Sequence, residues 1–155
     1  MKERSYYVET SVWGMLAKGQ PREMRRASSQ FLRRLTSENC FVSAVVLREA
    51  MAAGEKDREQ IAEALGRVQP TLLEITPEAE ELAQHYIDSK VVPAKKRDDA
   101  LHVAIATIHA MDVLVSWNHR HIANVRKTEQ YRGVNLLRGY AHMPLILTPL
   151  EVVHE

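Results

Sequence analysis

The sequence predicts an α/β fold built on a mostly parallel sheet of five short strands. Two observations carry that expectation. Short β-prone runs alternate with longer helical patterns, the signature of strands joined by crossover helices. Residues 97–110 form a helix that is apolar almost all round, with Ala100, Leu101, Val103, Ala104, Ile105, Ala106 and Ile108. Such a helix belongs inside a protein, packed on a sheet. The length of 155 residues fits one domain spanning 1–155. A chain of this size buries roughly 70% of its unfolded surface, enough for a true core.

Each element follows from its local signals. Tyr6 to Val8 is β-prone and ends at Glu9. Thr10 or Ser11 then offers a helix N-cap, with Val12, Trp13 and Leu16 continuing apolar. Pro21 suits the first turn of a second helix, where Met24, Ala27, Phe31 and Leu35 recur at helical spacing. Arg22, Arg25, Arg26, Arg33 and Arg34 occupy its other faces. Cys40 to Val42 is a second strand, and Ser43 caps a helix that Gly54 stops. Residues 57–67 are helical again. Leu72 to Ile75 is a third strand, and Thr76-Pro77-Glu78 starts a helix in cap-then-proline order, running to about Lys90. Val113 to Val115 and Leu145 to Leu147 supply the fourth and fifth strands.

Composition excludes several classes. Hydrophobic residues make up 45% and charged residues 26%, ordinary values for a globular chain. One cysteine excludes an internal disulfide and a multi-cysteine zinc site. No stretch approaches the roughly 18 apolar residues of a membrane span. No apolar leader follows the first residues, so the expected setting is cytoplasmic and reducing. The net charge of +1 is unevenly spread, because residues 1–58 and 95–155 are basic and 59–94 are acidic. A nucleic-acid partner is compatible with that spread, which solvated helix surface also explains. A Gly-rich phosphate loop, a Gly-x-Ser-x-Gly elbow and a His-Glu-x-x-His motif are all absent.

Ligands of parallel sheets bind at the carboxyl ends of the strands. Glu9 ends the first strand, Asn118 follows the fourth, Glu49 lies in the helix after the second, and Asp98-Asp99 opens the buried helix. Singly, Glu49 reads as a surface residue, Asp99 as a helix N-terminal acid and Asn118 as a turn residue. Together they form a cluster whose mutual repulsion a hard divalent cation relieves. Glu9 fits a bland reading least, since an acid ending an apolar strand needs a partner. Asp98 points about 100° away from Asp99 around the helix. His102, three residues after Asp99, reads as a supporting or packing residue, and Trp117 as packing.

Four blocks in this order resemble the PIN-domain family, in particular the VapC-type toxin ribonucleases. They are Tyr7-Val8-Glu9-Thr10-Ser11-Val12-Trp13, Ser43 to Glu49, Asp99 to Ala106, and Leu114 to Ile122. The tail from Gly139-Tyr140 through Glu151 resembles one branch of these proteins. The resemblance implies a three-layer α/β/α domain that hydrolyses RNA phosphodiesters with magnesium or manganese. It places catalytic roles on Glu9, Glu49, Asp99 and Asn118. Glu9 and Asp99 would hold the principal ion, Glu49 would complete its shell or orient the attacking water, and Asn118 would fix another water. Thr10, Ser11 and Asp98 would support them. Arg120 and Lys96 would guide RNA.

The family's first acid is usually aspartate, here Glu9, and many members carry a fourth acid where this chain has Asn118. A catalytically weak or inactive module that binds RNA or protein is therefore the rival reading. The resemblance also implies a small antitoxin partner and a homodimer, for which Val12, Trp13, Leu16 and Phe31 would be interface or, equally, core.

Overall fold

The computed structural model describes residues 3–155. Five strands form one sheet in the order β3-β2-β1-β4-β5, and every pairing is parallel. They are β1 (Tyr6–Val8), β2 (Cys40–Ser43), β3 (Thr71–Leu73), β4 (Val113–Val115) and β5 (Leu145–Leu147). Each strand lies within two residues of its expected place. The helices are α1 (Thr10–Gly14), α2 (Arg22–Leu32), α3 (Ala44–Met51), α4 (Glu55–Val68), α5 (Pro77–Asp88), α6 (Arg97–Ile108), α7 (Val125–Leu137) and α8 (Pro149–Val153).

Strand order decides where a ligand can sit. From β1 the chain moves outward through β2 to β3, then crosses back to place β4 on the other side of β1. The crevice at this reversal opens beyond the carboxyl ends of β1 and β4. Register fixes the geometry there, since Tyr6, Tyr7 and Val8 pair with Val113, Leu114 and Val115. The Glu9 backbone N–H then donates to Val115 O at 3.1 Å. Residues on both sides of the crevice are thus held by one ladder.

α6 is the core helix, with every side chain from Ala100 to Thr107 buried. It packs on α5, and α5 also meets α7, while α2 packs on α8. Trp13 is fully buried and donates its indole N–H to Val8 O at 3.1 Å. Val12 and Phe31 are likewise buried, so they belong to the core and supply no dimer surface.

One local expectation is corrected, and two helices carry no expectation at all. Neither Thr10 nor Ser11 caps α1. Glu9 does, its carboxylate accepting from the Ser11 N–H. α7 carries no amphipathic stripe to announce it, since its apolar, polar and charged residues fall at all angles. It buries only Tyr131, Val134 and Asn135, and leaves Leu136 and Leu137 exposed. α8 is announced by the Thr148-Pro149 cap and the Glu151 that completes a capping box, a signal read at Thr76 and overlooked here.

Because α6 is enclosed on all sides, added volume there has no escape. Ala104→Leu should lower the unfolding free energy by about 2 kcal/mol, readable as a shifted midpoint in urea titration.

Candidate active site

Glu9 sits 4% exposed at the end of β1. A buried carboxylate needs donors, and Glu9 has three. Its Oε1 accepts the Ser11 N–H at 2.9 Å. Its Oε2 accepts the hydroxyls of Ser11 at 2.7 Å and Ser116 at 2.5 Å. Each hydroxyl in turn accepts a backbone N–H from the loop after β4. Trp117 N donates to Ser11 Oγ and Asn118 N to Ser116 Oγ, both at 2.9 Å. Two backbone dipoles are therefore relayed through hydroxyls onto one carboxylate oxygen. The bond to Ser11, two residues on, shows that the longer glutamate side chain folds back over its own helix start.

Glu49 projects from α3 and is held by different partners. Its Oε1 accepts the Thr10 hydroxyl at 2.7 Å and lies 2.6 Å from His102 Nε2. Among the described residues its Oε2 takes no hydrogen bond. His102 is fully buried, with Nδ1 2.7 Å from Tyr7 Oη, which lies 2.8 Å from Ser43 Oγ. Burial opposes charge on this imidazole. The Glu49 hydrogen bond and the nearby charges of Glu9, Glu49 and Asp99 outweigh it and raise the His102 pKa. Burial also pushes Glu49 up, but His102, Thr10 and Arg48 outweigh that and lower its pKa. Both directions favour an imidazolium–carboxylate pair. With both ring nitrogens protonated, Nδ1 donates to Tyr7, and Tyr7 donates to Ser43.

Asp99 stands at the start of α6. Burial first, then the charge of Glu9, pushes its carboxyl up to about 6, against the opposing hydrogen bond of the Asn118 side chain. Asn118 Oδ1 accepts the His121 N–H at 3.0 Å. The amide therefore presents its N–H donors, not its oxygen, to Asp99. Asp98 points elsewhere, as helix geometry requires, and pairs with Arg48 at 2.6 Å. Trp117 packs, donating its indole N–H to Ser28 Oγ at 2.7 Å.

Glu9, Glu49, Asp99 and Asn118, with Thr10 and Ser11, line one pocket of about 480 Å³. Asp57 of α4 lines it too, so the lining holds four carboxylates and no lysine, arginine or histidine. One ligand atom each from Glu9, Glu49 and His102 lie within 4.8 Å of one another. The carboxylates of the pocket fit a hard divalent cation, whereas His102, with both ring nitrogens protonated, holds Glu49 and offers no lone pair. The pocket is rich in oxygen and lined by no basic side chain, and burial followed by the charge of Glu9 raises the pKa of one of its acids, Asp99. Lys96 and Arg120 are exposed and outside the pocket lining. Sequence reasoning passed over Ser116, Asp57 and the full role of His102. Ser116 closes β4 one residue before Trp117, a strand-end position that could have flagged it.

With this geometry established, likeness to known proteins can be placed on it. The PIN domain family model matches residues 6–127. The chain belongs to the PIN-domain family. PIN domains are generally metal-dependent nucleases, and the match takes in all four pocket blocks, ending early in α7. A solved structure, VapBC2 from Rickettsia felis bound to a DNA fragment from their promoter, contains a chain of similar fold. It is 16% identical, with a TM-score of 0.54, over 92% of this chain and 96% of that one. No curated protein sequence matches the chain.

The acids of this PIN-domain pocket make stability pH-dependent. The folded Asp99 keeps its proton to about pH 6, whereas its ordinary value is 3.8. The folded state binds the extra proton, so stability falls as pH rises through that window. His102 adds the same sign, since its raised pKa gives stability that is lost as pH rises through the folded value. The metal-free protein should melt at a higher temperature at pH 5 than at pH 7, and Asp99→Asn should shrink the difference. His102→Ala strands Glu49 and Tyr7 and should cost about 2–3 kcal/mol in chemical denaturation.

Proposed function

We propose that this chain is a divalent-metal-dependent endoribonuclease, the toxin of a type II toxin–antitoxin pair, acting in the cytoplasm as a homodimer. One observation carries the catalytic part. Four carboxylates line a single pocket without a cation, at the sheet's switch point, in a family of metal-dependent nucleases. The pairing with an antitoxin is supported by the fold shared with a chain of the Rickettsia felis VapBC2 structure.

Glu9, Asp99 and Glu49 would hold magnesium or manganese. When bound, the ion supplies Lewis acidity toward the scissile phosphate and lowers the pKa of water beside it. The chain's own residues provide positioning. Ser11 and Ser116 fix the rotamer of Glu9. Thr10 and His102 hold Glu49 by Oε1 alone, which leaves Oε2 to orient the attacking water. A bound cation would lower the Asp99 pKa, opposing the burial and the Glu9 charge that raise it. Asn118 donates to Asp99 and sets its orientation.

The rival reading is a module with little or no catalysis that holds RNA or a protein. Asn118 favours it, since its oxygen is spent on the His121 N–H and adds neither charge nor acceptor to the pocket. Cleavage of a mixed structured RNA with manganese, magnesium or EDTA separates the two. Ion-dependent cleavage that vanishes in Asp99→Asn is the expected result. No cleavage with either ion would hand the chain to the rival reading. Ser116→Ala should weaken divalent-ion affinity about tenfold, read by titrating manganese against residual activity and, independently, against thermal stabilisation.

A further inference from the structure

The arginines of α2 take no part in the site described above. Arg22, Arg25, Arg26 and Arg33 share one side of the helix and, with Leu16 and Ser29, line a hollow of about 300 Å³. Among the described residues none of the four pairs with a carboxylate. The arginine ion pairs belong to Arg4, Arg48 and Arg132. Arg33 donates to the Ser29 hydroxyl at 3.1 Å. The Nε of half-buried Arg25 is shielded from water and has no hydrogen-bond partner. Like charges at this spacing repel, and a shielded N–H without an acceptor forfeits its solvation. An anion carrying several acceptor oxygens removes both costs, and arginine suits phosphate best.

One chain segment lines both the hollow and the acidic pocket. Met15 and Gln20 line the pocket, whereas Leu16 and Arg22 line the hollow, so segment 15–22 forms a shared rim. The Trp117–Ser28 hydrogen bond ties α2 to the loop that carries Asn118. On the α4 side, Glu63 and Arg67 line a neighbouring hollow with Leu16, and their charges cancel. Past Asn118 the chain is basic again. Arg120, Lys95 and Lys96 are exposed there, and after burial their charges help lower the His121 pKa, whereas the Lys127 ammonium is bound to Val91 O.

We propose that the arginine face of α2 is a phosphate-binding track for RNA. It grips the backbone beside the acidic pocket, with the exposed Lys95, Lys96 and Arg120 as further cations near the loop that carries Asn118. An acidic pocket repels the phosphates it must cleave, and cationic flanks offset that repulsion. The track rests on the nuclease reading and adds where the strand lies.

The test uses Arg22→Gln with Arg26→Gln, since both side chains are exposed and the fold should survive, as a thermal melt will verify. Binding of a labelled single-stranded RNA is followed by anisotropy with magnesium in the Asp99→Asn background, at several salt concentrations. Arg132→Gln with Arg138→Gln, both exposed along α7 and its C-terminal end, is the control matched for net charge. The double variant should lose affinity at least about fivefold near 0.1 M salt, and its log–log salt slope should be shallower by about 1.4. The control should lose far less. Unchanged affinity and slope, or an equal loss in the control, would overturn the track. So would an α2-dependent affinity for polyglutamate with RNA binding intact, which would assign the face to an acidic protein. Cleavage by the parent chain with no effect of the double variant on RNA binding would remove the track and leave the nuclease standing. Neither binding nor cleavage of RNA by the parent would bring down both.

Discussion

The hydrogen bonding of Glu9 holds the crevice together. One buried carboxylate takes a backbone N–H from α1 and hydroxyls from Ser11 and Ser116. Those hydroxyls take N–H groups from Trp117 and Asn118. The end of β1, the start of α1 and the loop after β4 are therefore one polar unit. A low-dielectric setting strengthens each bond and penalises the loss of any one of them. An aspartate here would be one methylene shorter and would have to reach the same donors from further back. The hydroxyl pair gives the longer side chain a definite place.

Around that unit the remaining acids are treated unequally. Glu49 is given a cationic partner in His102, and its pKa falls. Asp99 is given mainly burial and the repulsion of Glu9, and its pKa rises to about 6. Two carboxyls on one pocket thus sit in opposite states of readiness. The ionised form of Glu49 is favoured and anchored, and the ionised form of Asp99 is disfavoured by burial and by Glu9. The inequality comes from elements outside the pocket. His102 lies within α6, and Tyr7 and Ser43 bring β1 and β2 into the same chain of hydrogen bonds. The sheet itself sets the orientation of an acid on α3.

Much of this was legible in the sequence, for a physical reason. Strands as short as Tyr6–Val8 stand out because they are apolar islands closed by a cap or a turn, and α6 stands out because its residues after Asp99 are apolar on almost every face. Glu9 was legible as an acid without an obvious solvent exit. What escaped depended on distance through space. Ser116 is an ordinary strand-end serine until the fold sets it beside a residue 107 positions away. Asp57 faces the pocket only because α4 packs on α1. His102 announces neither of its partners, one in β1 and one in α3. α7 escaped for the opposite reason, because its apolar residues follow no single face.

The pairing of β1 with β4 also sets an order of events during synthesis. Tyr6 meets Val113 only after more than a hundred residues have been made, and closing so long a loop is entropically slow. Until residue 118 has left the ribosome, Glu9 has neither the Ser116 hydroxyl nor the Asn118 turn beside it. A nascent or truncated chain that ends before β4 can form helices and the β1–β2 ladder, yet it holds no assembled pocket. The topology therefore withholds the chemistry of the protein from every fragment of it shorter than about three-quarters of its length.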